Sequence, residues 1–229
     1  LTNADLRWVC MSAKDMSGIW LTHKADLSNS DLRGANMSEA HLEGADLSYA
    51  NLIEVDLRSA TLAKANLQGT CLRRALLLDA NLEDTNLQGA ELSQANIRKG
   101  RLLQANLRQA DLREANLSEA ILSDADLAHA DLRYSTLGRM DLMYATLTGC
   151  LLFGTSRDDW IIEGVKCEYV FWDAEGKRRS PRDRDLKPGE FERFYTALPT
   201  IEYIFENGMT PLDPFIMDRV VQAIRERRP

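Results

Sequence analysis

No stretch of the 229 residues is long and apolar enough to span a membrane as a helix, and no signal peptide is visible. No Gly-rich loop of the kind that cradles phosphate is present. The four cysteines, Cys10, Cys71, Cys150 and Cys167, lie far apart, with no C-x-x-C spacing. That excludes a thiolate zinc motif and fits free thiols in a reducing cytoplasm. Histidine is scarce: His23, His41 and His129 have no Ser or Cys at motif spacing, so no catalytic set emerges and no cofactor or metal is expected. Charge of one sign is lacking too. The net charge of −7 divides as −5 over residues 1–154 and −2 over 155–229, which argues against direct nucleic-acid affinity. Proline is absent before residue 181.

What the chain does have is a leucine at every fifth position. From Leu27 to Leu152 there are 26 consecutive such positions, 24 of them Leu, with Met37 and Ile97 as the exceptions. Two residues before each is a small residue, Ala in 18 of the 26 units. A period of five suits no ordinary element. On an α-helix five residues advance about 140°, so the leucines would circle the axis. On a strand an odd period alternates faces. A chain that buries all of them must turn a corner in every unit, which makes it a solenoid. Within a unit the small residue and the leucine are two apart and point inward together. The residue between them and the two that follow point outward or form the corner, where Gly34, Gly44, Gly69, Gly89 and many Ser, Asn and Asp crowd.

The array, with units such as Ala-Asp-Leu-Ser-Tyr and Ala-Asn-Leu-Gln-Gly, resembles the pentapeptide-repeat family, whose pattern is A(D/N)LXX. The resemblance implies a mainly β fold, a right-handed quadrilateral β-helix with four units per coil. Leu6, Met11, Met16 and Leu21 continue the period at the N-terminal side in another register, displaced by one inserted residue. Lys14 falls on an inward position where it does not fit. Residues 1–24 are therefore expected to form an irregular first coil or cap, within a β-helical domain spanning 1–154.

Residues 155–229 read as a separate α+β or helical module that caps or links the rod. Trp160–Ile162 and Val165–Trp172 read as two short strands, the second followed by a turn at Asp173–Gly176. Glu190–Leu198 reads as a helix, with Phe191, Phe194, Tyr195 and Leu198 on one face. Two further helical segments are expected, one around Ile201–Phe205 and one from Asp213 to Arg228. The chain opens at Leu1 and stops inside charged helical sequence, which fits a piece of a longer protein.

Two groups of residues are candidate partner contacts. In the array, Leu76 takes an outward position where Asn or Asp is usual, Leu78 follows, Arg101 replaces Asn, and Leu103 points out. Ile53, Ile121 and Met143 are further outward apolar residues. Single ones are ordinary; several on one face would mark a partner site. In the tail, Lys177, Arg178, Arg179, Arg182, Arg184 and Lys187 form either a solvated loop or a contact for an anionic group or acidic partner. The reading is a non-enzymatic bacterial scaffold that presents a rigid surface to a protein partner. The resemblance also implies an alternative, since some pentapeptide proteins mimic DNA, bind DNA gyrase and protect it from quinolones or toxins. This chain departs from those members. Its central residue is nearly always Leu rather than Phe, arginines such as Arg33, Arg58, Arg73, Arg113 and Arg133 interrupt any acidic stripe, and a tail follows the last coil.

Overall fold

In the unit beginning at Ala45, a three-residue extended segment is followed by a two-residue corner, and the same alternation builds most of the molecule. The computed structural model describes residues 4–22 and 25–195. Ala45 and Leu47 are buried to within 1% exposure, while Asp46 between them faces out. Ser48 and Tyr49 make the corner: the Ala50 N–H donates to the Leu47 carbonyl at 3.1 Å, and Tyr49 adopts a φ of 58°. A positive φ at the third residue is what a type II turn requires. Asp46 braces the corner by accepting the Ser48 N–H at 2.9 Å.

Neighbouring coils are joined by backbone hydrogen bonds. The Asp46 N–H donates to the Ala25 carbonyl at 2.9 Å, and the Leu47 N–H donates to the Asn66 carbonyl at 2.8 Å. Asp26, Asp46 and Asn66 pair in parallel, 20 residues apart. Four five-residue units thus close one coil, and the cross-section has four sides. The column from Asp5 through Asp26 to Lys166 has nine levels, a rod of roughly 38 Å at the spacing of paired strands. Leu27, Leu67, Leu107 and Leu147 stack inside it with at most 1% exposure. Thr85 and Cys150 at small inward positions bond to backbone: Thr85 Oγ1 donates to the Leu62 carbonyl at 2.9 Å, and the Cys150 thiol donates to the Leu127 carbonyl at 3.0 Å. Burial pushes the Cys150 thiol pKa far up.

The described residues of the expected irregular first coil or cap, 4–22, keep the parallel ladder with the coil that follows. Asp5, Cys10, Asp15 and Trp20 pair with Asp26, Asp31, Asn36 and His41, each at an offset of 21. The extra residue is taken up between Leu21 and Ala25 and leaves the ladder intact. Lys14 occupies its inward position and is exposed. Within the described residues no coil lies beneath it, so its ammonium reaches solvent instead of the core.

The β-helix also passes the boundary expected at 154. Ser156, Ile161, Lys166 and Phe171 pair in parallel with Thr136, Asp141, Thr146 and Leu151, which adds a full coil. Trp160–Ile162 and Val165–Trp172 are therefore parts of a coil and not two free-standing strands. Thr155, Val165 and Val170 fill small inward positions and Ile162 a leucine position, all buried. Beyond this coil, β1 (Val170–Phe171) pairs antiparallel with β2 (Arg179–Ser180). The turn expected at Asp173–Gly176 is present, with the Asp173 carboxylate accepting the backbone N–H groups of Lys177 and Arg178 at 2.9 and 2.8 Å. The helix starting at Glu190 is α1 (Glu190–Tyr195), and it seats Phe191 against Trp160 with ring centroids 6.0 Å apart. Trp172 Nε1 donates to the Tyr195 hydroxyl at 3.0 Å. The remainder of that helix, the two later helices and the expected contacts of Phe205 and Phe215 lie outside the described residues.

Candidate interaction site

The rod has four faces, each a stack of units, separated by corners. Face 1 carries the stack containing Leu27 and Leu107, face 2 that of Leu32 and Leu112, face 3 that of Met37 and Leu117, and face 4 that of Leu42 and Leu122. Stacking places residues 20 apart side by side.

On face 1 the outward residues form an amide ladder. Asn66 Nδ2 donates to Asp46 Oδ1, Asn86 to Asn66 and Asn106 to Asn86, each at 3.1 Å. The Asn and Asp before the leucines thus brace corners and bond along the rod, as the surface hydrogen bonding expected of them requires. On face 2 and the first units of face 3, acids and arginines neutralise each other across a single leucine. Arg33 pairs with Asp31 at 2.7 Å, Arg58 with Asp56 at 2.6 Å and Arg113 with Asp111 at 2.7 Å. The guanidinium of Arg58 holds the Asp56 carboxyl below the usual carboxylate range, as Arg33 does for Asp31. At the corner after face 2, Ile53, Arg73, Arg74, Ser93, Gln94 and Arg113 line a groove of about 400 Å³. Its charges are also internally engaged: Arg74 Nη1 donates to Glu54 at 3.3 Å, and Gln94 Nε2 donates to Glu114 at 2.8 Å.

The structure does not bring the four expected array residues together. Leu76, 38% exposed, is on face 3 and Leu78 is on the corner after it. Arg101 is on face 4, 3.6 Å from Glu83, and Leu103 is on the far corner of face 4. Face 4 separates Leu76 from Leu103. Instead, Leu103 shares face 4 and its far corner with Ile121, Met143 and Ile161. Ile161 joins only because the coil continues past 154, so the pattern that ends at Leu152 hides it. Tyr144 stands on the same corner, 46% exposed, with its ring laid over Gly164 of the next coil.

The tail cluster divides into held and exposed cations. Arg179 donates to the carbonyls of Pro181 at 3.0 Å and Arg184 at 2.7 Å, pairs with Asp185, and lies 4.3 Å over the Tyr169 ring. Arg184 pairs with Glu190 at 2.6 Å, and this hydrogen bond holds the Glu190 carboxyl down to about 2. Lys177, Arg178, Arg182 and Lys187 are exposed. Among the described residues no group of three His, Cys, Asp or Glu could hold a metal ion, and no helix is long and apolar enough to cross a membrane. His41 stacks on Trp20 at 3.8 Å, and His129 lies over Gly149.

HetL, a pentapeptide repeat protein involved in heterocyst differentiation regulation from the cyanobacterium Nostoc, is 30% identical over 74% of this chain and 85% of its own, with a TM-score of 0.42. QnrB1, a plasmid-mediated fluoroquinolone resistance protein, is 18% identical over 78% of this chain and 92% of its own, with a TM-score of 0.36. A pentapeptide repeat protein from the Arabidopsis thaliana thylakoid lumen is 24% identical over 59% of this chain and 69% of its own, with a TM-score of 0.15. No curated protein matches the chain. The family model for pentapeptide repeats matches in eight copies, over residues 25–62, 40–77, 75–113, 90–127 and 120–156. These matches run without a gap through more than half of a chain whose units pair 20 residues apart on four faces, and the protein belongs to the pentapeptide-repeat family.

Proposed function

We propose that this chain is a non-enzymatic protein–protein interaction scaffold, a right-handed quadrilateral β-helix acting in the cytoplasm, whose rod holds surface residues in fixed positions for a protein partner. The observation that carries this reading is the unbroken ladder. Parallel pairing runs from Asp5 to Phe171, and from Ala25 to Leu152 every unit commits its small residue and its leucine-position residue to the core. Such a surface binds without the ordering cost of a flexible one. The exposed tail cations Lys177, Arg178 and Arg182 belong to the same proposal as a second contact zone, as do Leu76, Leu78, Arg101 and Leu103 at the edges of faces 3 and 4.

Tagged full-length chain used as bait in its native host, with cross-linking before purification, is expected to retain a specific protein in stoichiometric amount. Recovery of no protein above a tag-only control would sink the reading. DNA gyrase serves as the contrasting partner. Asp31, Asp56 and Asp111 are each neutralised by an adjacent arginine, which removes a continuous acidic stripe. Supercoiling by purified gyrase, with and without quinolone, is expected to be unchanged by the protein. Protection of gyrase would replace the scaffold reading with the DNA-mimic one.

A further inference from the structure

Face 4 changes character along the rod. The outward column opens on Trp20, which is stacked on His41, and continues through Thr61, Asn81 and Arg101; then it reads Ile121, Asp141 and Ile161. The adjacent corner column adds Leu103 and Met143, and Tyr144 follows Met143. Ile161 and Tyr144 are each 46% exposed. Tyr144 is positioned by the absence of a side chain beneath it. Its ring lies over Gly164, at φ 67°, in space that a Cβ would fill. The aromatic ring is thus fixed at the edge of the apolar strip before anything binds. Met143 adds a flexible, polarisable side chain suited to an irregular partner.

The charge around this strip is one-sided. The three face-4 levels span residues 118–124, 138–144 and 158–164, which hold six acids and one cation. The cation, Arg139, is already engaged by Glu119 at 3.1 Å. Asp124, Asp141, Asp159 and Glu163 meet no cation among the described residues. On faces 2 and 3, Asp31, Asp56, Asp111 and Asp131 each have an arginine two residues on. Here the position two after Asp141 is Met143, and the position two after Ile161 is Glu163. Asp124, Asp141, Asp159 and Glu163 frame the apolar strip without an ion pair among the described residues. An anionic membrane or nucleic acid would be repelled by this rim, and a second copy would bring the same negative charge.

We infer that the C-terminal half of face 4, centred on Ile121, Met143, Tyr144 and Ile161, is a docking surface for a basic amphipathic segment of a partner protein. The apolar side of the segment covers the isoleucines, and its lysines or arginines reach Asp124, Asp141, Asp159 and Glu163. This inference rests on the scaffold reading and gives it a location and a partner chemistry.

The test uses the full chain and a fluorescent amphipathic peptide of about 18 residues, made of Leu and Lys and long enough for a helix of several turns. Controls are a Leu/Glu peptide of the same pattern and a Leu/Lys peptide of the same composition without an apolar face. Two variants alter the strip: Ile121→Asn with Ile161→Asn, and Asp124→Lys with Glu163→Lys. Asn81 already occupies the Ile121 column and Lys64 the Asp124 column, so the coil accommodates these residue types. A third variant, Glu39→Lys with Glu43→Lys, makes the same charge change near the other end of the rod. Circular dichroism melts establish that each variant is folded.

The amphipathic Leu/Lys peptide is expected to bind in fluorescence anisotropy. Both strip variants should weaken it by about tenfold or more, as for central contacts of an interface, while the distant variant changes it by less than about twofold. Equal binding of either control peptide, or equal weakening by the distant variant, would reduce the effect to net charge and overturn the inference. So would binding that the strip variants leave intact. Vesicles of phosphatidylcholine and phosphatidylglycerol, and sedimentation of the protein alone, cover the other occupants. Association with either vesicles or a second copy that the strip variants abolish would also overturn it. The two proposals fail separately. If the host protein captured by the wild-type chain is captured equally by both strip variants, the scaffold stands and this surface is not its contact.

Discussion

Leu107 and Gln109 are two residues apart and face opposite environments. Leu107 has no exposed surface and stacks between Leu87 and Leu127, whereas Gln109 is exposed at a corner with a φ of 58°. Leu107→Ala removes methyl groups from a core one leucine wide, with neighbours above and below held in place by the ladder. It is expected to cost about 2–5 kcal/mol in denaturant unfolding, the range for core leucines that leave a cavity. Gln109→Ser should change stability by less than about 0.5 kcal/mol. Equal effects would mean that the inward and outward assignment is wrong. That assignment was readable from the period alone, since two residues apart on an extended segment share a side. The same logic placed Cys150 inward, where it is buried, and Cys71 outward, where it is partly exposed.

At the scale of the element, the corner is the part with the most freedom. Its second residue takes positive φ in nearly every unit, mostly without glycine. Glycine therefore has a further use at some corners, which is to admit a ring from the preceding coil. A Cβ on Gly69, at φ 63°, would meet Tyr49 Cε1 at 2.6 Å. Gly69→Ala is expected to cost about 1–2 kcal/mol for its left-handed backbone, with a further share from displacing this ring. In a double-mutant cycle with Tyr49→Ala, the ring's share should disappear and the backbone's share should remain. A cost that is unchanged once the tyrosine ring has been removed would mean that the ring carries none of it. The pairing of an aromatic corner with a glycine 20 residues later recurs at Tyr134 with Gly154 and Tyr144 with Gly164. It becomes visible only once four units are known to make a coil.

For the whole molecule, the decisive question is how the rod ends. The last coil would present Val165, Val170, Trp160 and Trp172 to solvent if nothing covered it. In the structure Phe191 is 1% exposed against Trp160, and Tyr195 is 8% exposed against Trp172. Open coil ends offer unpaired backbone and apolar core to another chain. Deleting residues 173–229 is therefore expected to convert a monomer into dimers or larger stacks, read by light scattering. A truncated chain that stays monomeric would make the tail a partner-binding module instead of a cap. A full-length dimer that truncation dissolves would make it the dimerisation module. The truncation starts at 173 because the ladder reaches Phe171; a cut at 155 would remove a coil along with the cap.

By itself the sequence determined the solenoid, its inward residues and its corners, because a five-residue period leaves the chain no other way to bury every leucine. It also held the signs of the last coil in Thr155, Ile162, Val165 and Val170, which keep the register, but Arg157 and Cys167 at leucine positions conceal them. The tertiary structure decided which outward residues are neighbours. Residues that touch across coils are 20 apart, and that number is set by where the backbone ladder closes, a non-local property that no unit of five encodes. For this reason Leu76 and Leu103 separate onto different faces, while Ile121, Met143 and Ile161 converge. The opening coil shows the same division: the sequence revealed one inserted residue, and only the pairing at an offset of 21 shows that the ladder is kept.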